Sequence, residues 1–261
     1  MGSLESAQAP LEASVSSSAS AGPIAEPLSR HSVLVRVTHW VITLCFFALL
    51  VTGIEILISH PRFYWGETGT VITKPLFQLP IPSSRNIVKT GYGYVLPDQN
   101  GWSRALHFQA AWIAVLTGLL YAIYGFVTGH FRKNLLPSEG GLSWPVLSRA
   151  IAGHLRFARP SEAEAWSYNL VQRLTYLFVI FCLFPLIVWT GLAMSPAFTS
   201  AFPATVVLLG GRQSARTIHF FVSIALLLFV IVHFVMICRA GFINRTRAMI
   251  TGRQRARREG L

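Results

Sequence analysis

Four runs of apolar residues decide what this chain can become. They lie at roughly 37–58 (VTHWVITLCFFALLVTGIEILI), 104–128 (RALHFQAAWIAVLTGLLYAIYGFVT), 170–194 (LVQRLTYLFVIFCLFPLIVWTGLAM) and 217–239 (TIHFFVSIALLLFVIVHFVMICR). A helix needs about 20 apolar residues to cross a bilayer, and inside lipid a helix satisfies every backbone polar group within itself. The chain is 52 % hydrophobic and only 12 % charged, against about a quarter charged for a soluble domain. These runs predict an all-α membrane protein, a four-helix transmembrane bundle. Pro185 falls inside the third run and predicts a kink there.

The net charge is +12. The basic residues do not gather into a folded basic domain, which argues against a nucleic-acid partner. They cluster just outside the apolar runs, where Lys and Arg set membrane orientation. With both termini in the cytoplasm, fifteen basic residues lie inside: Arg30, Arg36, Arg132, Lys133, Arg149, Arg156, Arg159, Arg173 and seven arginines from Arg239 to Arg258. Seven lie outside: Arg62, Lys74, Arg85, Lys89, Arg104, Arg212 and Arg216. The expected location is a bacterial cytoplasmic (inner) membrane, crossed four times with both ends inside.

Composition divides the rest. Residues 1–29 are rich in Ser, Ala, Pro and Glu without apolar periodicity and read as a disordered tail. Residues 30–252 form the four-span domain and 253–261 a basic cytoplasmic tail. The loop 59–103 is long and rich in Gly, Pro and Tyr, which marks it as a candidate docking surface. Between the second and third runs, Trp144, Leu147, Ile151 and Leu155 fall at helical spacing and predict a short helix on the cytoplasmic surface. Cys45, Cys182 and Cys238 form no C-x-x-C or C-x-x-C-H, so a covalently attached c-type haem is excluded.

Four of the eight histidines lie within the runs: His39, His107, His219 and His233. Ionisable residues at membrane depth are expensive and mark functional sites. They sort by depth into an inner pair, His39 and His233, and an outer pair, His107 and His219. Each pair draws on two helices, as axial ligation of one haem iron requires. His219 and His233 are fourteen residues apart. Fourteen residues come within roughly 40° of whole turns and rise about 21 Å, so both share one face of one helix at opposite depths. Two b-type haems between the helices are expected, one toward each membrane surface. Iron held by two imidazoles exchanges electrons and offers no open site for oxygen chemistry.

Three of these histidines follow an arginine by three residues: Arg36 and His39, Arg104 and His107, Arg216 and His219. Such pairs are neighbours on one helix face, and arginine suits the carboxylates of haem propionates. Gly53 shares the face of His39, and Gly118 the face of His107. A glycine there would let a macrocycle approach the backbone. A haem-free membrane transporter, with the histidines as a proton relay, is the alternative reading of the same residues.

The inner and outer histidine pattern resembles the four-helix di-haem cytochrome b subunits of the cytochrome b561 type, as found with formate dehydrogenases and nickel–iron hydrogenases. The resemblance covers roughly 30–252. It implies two haem b groups, one held by His39 and His233 and one by His107 and His219, metal ligands all four. It implies exchange of electrons with quinone or quinol near the cytoplasmic-side haem, although no quinone-binding residue here matches the family pattern. HPRFYWGETG (60–69) and GGRQSARTIHF (210–220) are similar to cytochrome b subunits that accompany a periplasmic molybdopterin-dependent oxidoreductase. The expected function is therefore a membrane electron-transfer subunit linking the quinone pool to an oxidoreductase partner on the outer face.

Overall fold

The computed structural model describes residues 32–70, 72–81, 99–136 and 170–252, together with the isolated positions 145, 148 and 152. The expected tail 1–29, the basic segment 253–261 and the four apolar positions of the expected surface helix lie outside the described residues.

Four helical spans are long and apolar enough to cross a membrane. The first is α1 (Val33–Ser59), and Ser32 caps it by accepting from the Val35 amide at 3.4 Å. The second is α2 (Gln99–Val127). The third is built in three parts, α3 (Leu170–Phe178), a π-helical turn (Val179–Leu183) and α4 (Phe184–Ala193). Two short helices follow, α5 (Pro196–Ala201) and α6 (Ala204–Val207). The fourth span is α7 (Arg212–Arg239), and α8 (Phe242–Thr251) turns away beyond it. The apolar runs therefore became helices; the first, second and fourth start a few residues before their runs, and the third starts where its run does.

Pro185 explains the composite third span. It has no amide hydrogen, so the turn before it loses one i→i−4 bond. The chain answers with a wider turn, in which the Phe184 amide donates to the Val179 carbonyl five residues back. The expected kink is thus a π-bulge.

Large apolar side chains point away from the bundle. Leu44, Val51, Leu116 and Leu228 are 71 %, 56 %, 61 % and 57 % exposed, as a lipid-facing surface requires. Inside, α1 packs along α2, and α7 packs along α4. Among the described residues the two helix pairs meet near their ends and, mid-span, where Phe184 of α4 packs against Gly118 of α2. At one end a second π-helical turn (Phe131–Leu135) meets α3, and at the other β1 (Arg62–Phe63) meets α7. The end that carries the 60–81 segment is called the loop end below, and the end where α1 starts and α8 lies is called the terminal end.

The loop end is held by one clasp. β1 pairs antiparallel with β2 (Phe77–Gln78), Arg62 opposite Gln78 and Phe63 opposite Phe77. Phe63 stacks on Phe77 at 4.6 Å and lies 4.6 Å from Phe220 of α7. The next residues cap α7. The Gly66 carbonyl accepts from the Gln213 and Ser214 amides at 3.0 and 3.2 Å, and the Glu67 carboxylate accepts from the Arg212 amide at 3.0 Å. The first amides of a helix have no partner within it and carry partial positive charge, so a carbonyl and a carboxylate are suitable caps. Ser214 Oγ accepts from the Gly66 amide at 2.7 Å, and Thr217 Oγ1 donates to the Tyr64 carbonyl at 2.7 Å. The two sequence stretches 60–69 and 210–220 are thus the two halves of a single contact.

Gly211 sits at the centre of this clasp with φ 110°. That conformation strains any residue with a Cβ, and a Cβ here would also run into the Gly66 carbonyl. Gly211→Ala is expected to destabilise the fold by about 1–3 kcal/mol. A lowered thermal midpoint and faster proteolysis within 60–70 would show it; an unchanged melt would refute the clasp.

Candidate functional site

A cavity of about 2410 Å³ runs between the two helix pairs and is lined almost wholly by apolar side chains from all four spans. His39, His107, His219 and His233 all line it. They meet across it as two pairs. His107 of α2 faces His219 of α7 with ring centroids 6.4 Å apart. His39 of α1 faces His233 of α7 at 6.5 Å. The fourteen-residue spacing does place both α7 histidines on one face, each meeting a different helix. Among the described residues no three His, Cys, Asp or Glu side chains come together as a metal cluster, and the four imidazoles approach one another in pairs.

The loop-end pair is oriented by hydrogen bonds. Thr52 is fully buried on α1, and its hydroxyl donates to the Ala48 carbonyl at 2.7 Å. With its proton so used, the oxygen accepts from His107 Nδ1–H at 2.9 Å. Thr190 is fully buried on α4 and repeats the pattern, donating to the Leu186 carbonyl at 2.8 Å and accepting from His219 Nδ1–H at 3.0 Å. A glycine follows each threonine. A Cβ on Gly53 would sit 3.7 Å from His107 Cε1, and one on Gly191 would sit 3.6 Å from His219 Cε1. A methyl group at either glycine would make ordinary van der Waals contact with the neighbouring ring.

The terminal-end pair is oriented by aromatic packing. Trp40 meets the His39 ring edge-on at 5.4 Å. Phe229 stacks on His233 at 5.6 Å, and Tyr176 meets it edge-on. The Tyr176 hydroxyl is 3.5 Å from His233 Nδ1, at the limit of a hydrogen bond. Among the described residues, the buried His39 Nδ1 has no hydrogen-bond partner.

The arginines divide. Arg104 and Arg216 line the cavity beside the loop-end pair. Arg216 also donates to the Arg62 carbonyl and lies 5.3 Å over the Phe63 ring, so it serves the clasp as well. Arg36 does not line the cavity. Its Nη1 donates to the Ile250 carbonyl at 2.8 Å, and Trp40 Nε1 donates to the Met249 carbonyl at 3.3 Å. These two α1 side chains satisfy the C-terminal carbonyls of α8, where a cation is favoured. The cavity-lining arginines at the terminal end are instead Arg239 and Arg245. Gly118 lines the cavity with Phe184 against it; a Cβ there would come within 2.6 Å of that ring.

The donor set fits a b-type haem. An imidazole nitrogen sits about 2.0–2.1 Å from a bound metal and its ring centroid ~1.1 Å farther back, so two rings holding one ion have centroids roughly 6.3 Å apart. Both pairs have that separation. In the loop-end pair the Nδ1–H is donated to threonine, which leaves the Nε2 lone pair for a metal. The apolar lining suits a macrocycle. A family model described as prokaryotic cytochrome b561 matches residues 30–252.

The chain belongs to the prokaryotic cytochrome b561 family. It is thus a haem-binding electron-transport protein of the membrane, and the haem-free transporter reading is set aside. It is also 30 % identical over 223 residues, 85 % of this chain and 96 % of the relative, to "Putative protein-methionine-sulfoxide reductase subunit YedZ1" of Azospira oryzae. No solved structure matches the chain.

Sequence reading missed Thr52, Thr190, Gly191, Tyr176 and Phe229. The dipeptide Thr-Gly at 52–53 and 190–191 does not single out the first three, because it also occurs at 68–69, 90–91, 117–118, 128–129 and 251–252. His130 also lines the cavity, at the terminal end beside Tyr121 and Tyr124. Asn134 Nδ2 donates to its Nδ1 at 3.0 Å. Burial pulls the His130 imidazole below its ordinary value of 6.5. The folded chain therefore binds this proton later than the unfolded chain as pH falls, and its stability drops as pH is lowered through about 6.5. The protection factors for hydrogen exchange across 129–136, corrected for the intrinsic pH dependence of exchange, should fall between pH 7.5 and 5.5, and His130→Phe should flatten that dependence. An equal dependence in the variant would contradict it.

Proposed function

We propose that this protein carries electrons from membrane quinol to an oxidoreductase on the outer face of a bacterial cytoplasmic membrane, through two b-type haems. Each would be held by two histidines: His107 and His219 at the loop end, His39 and His233 at the terminal end. When bound, haem held this way supplies one-electron exchange at an iron with no open position. The observation that carries the reading is the pair of ring separations, 6.4 and 6.5 Å, on opposite faces of one cavity. With about 21 Å of rise between His219 and His233, the two sites divide the bilayer between them.

The residues around each site do the protein's share. Arg104 and Arg216 offer cations to the propionates at the loop end, and Arg239 and Arg245 do so at the terminal end. The apolar walls exclude water, so the ligands and these charges set the potentials. Quinol would approach the terminal end, where His130, Tyr121 and Gln172 add polar groups to the cavity lining. Both chain termini would lie in the cytoplasm, as the distribution of basic residues supports. The partner would bind the loop end and be molybdopterin-dependent. The similar reductase subunit supports an outward flow of electrons and a partner that reduces oxidised methionine in proteins.

Pairwise substitution tests the ligand assignment. His107→Ala and His219→Ala should each remove the same haem from the absorption spectrum, and His39→Ala and His233→Ala should each remove the other. Loss of different haems within a pair would overturn it.

A further inference from the structure

The two histidine pairs are held by different physics, and the difference bears on how the two haems behave. At the loop end both Nδ1–H groups reach buried oxygens, at 2.9 and 3.0 Å. At the terminal end, among the described residues, His39 Nδ1 has no partner and His233 Nδ1 has the 3.5 Å approach of Tyr176. We infer that Thr52 and Thr190 are positioning residues that fix the tautomer and ring orientation of His107 and His219 and thereby lower the reduction potential of the loop-end haem relative to the same site without them. This rests on the two-haem assignment above.

The geometry fixes each threonine as an acceptor. A hydroxyl has one proton to give. In both residues it goes to a carbonyl one helical turn back, at 2.7 and 2.8 Å. What remains is an oxygen lone pair in a site closed to solvent, aimed at an imidazole nitrogen. The ring must present N–H there, so its Nε2 carries the lone pair that binds iron. Without the acceptor, that tautomer loses its bias, and a buried N–H loses its side-chain partner.

The hydrogen bond also makes the imidazole a stronger donor to its metal. Stronger donation favours the oxidised iron, which lowers the potential. Two such bonds act on one site, because the same Thr-Gly device is used twice. Thr52 and Gly53 on α1 hold the α2 ring, and Thr190 and Gly191 on α4 hold the α7 ring. The threonine chooses which nitrogen faces the cavity.

Valine matches threonine in shape and lacks the oxygen, whereas serine keeps the oxygen and loses a methyl. Thr52→Val, Thr190→Val, Thr52→Ser and Thr190→Ser would be purified with haem bound and titrated by optical redox potentiometry, with electron paramagnetic resonance of the oxidised form. In each Val variant the reduced-to-oxidised ratio of one haem at a fixed potential should rise on the order of tenfold, 59 mV for a one-electron couple. The other haem should not move, and the Ser variants should resemble the wild type. Selective loss of one haem in Val but not in Ser would also support the assignment, because a packing role survives in Val. Unchanged potentials in both Val variants, or equal effects of Val and Ser, would overturn it. A wild-type protein without two low-spin haems would instead refute the underlying haem assignment.

Discussion

A neutral imidazole has one nitrogen that donates and one that accepts, and at membrane depth neither finds water. This chain puts four imidazoles there. The bundle solves the problem by splitting into two helix pairs with a cavity between them. Each histidine is steadied within its own helix pair or by nearby aromatic rings, and its second nitrogen is left for the cavity. Close packing of α1 on α2 and of α7 on α4 keeps the two walls separate. A tightly packed four-helix core would have no room for a macrocycle.

The two ends of the bundle follow from the same constraint and differ in detail. At the loop end the chain folds back over α7 and caps it with Gly66 and Glu67. That clasp fixes the start of the helix that carries both His219 and His233. At the terminal end Arg36 and Trp40 hold the last carbonyls of α8. This places α8, with Arg245, against the cavity. Hydrogen bonding thus locks one end, while aromatic contacts and a returning helix close the other.

Much of this was legible from the sequence, for physical reasons. The membrane demands long apolar helices, so Val33–Ser59 and Arg212–Arg239 announced themselves within a few residues. Helical periodicity is rigid over fourteen residues, so the shared face of His219 and His233 was readable too. What stayed hidden depends on contacts between distant segments. Arg36 stands three residues before His39, yet it bonds a carbonyl 214 positions away. Thr52 and Thr190 look like ordinary helix threonines until the neighbouring helix brings a ring to each. The 60–69 and 210–220 stretches stood out as motifs, but nothing in either one shows that it completes the other.

The central claim is that both haem irons have two imidazole ligands. The most direct measurement is optical and electron paramagnetic resonance spectroscopy of the purified protein, with haem counted per chain and carbon monoxide added to the reduced form. The account predicts two b-type haems per chain, both low-spin and six-coordinate, with no spectral change on adding carbon monoxide. One haem per chain, a high-spin signal, or a carbon monoxide adduct would contradict it.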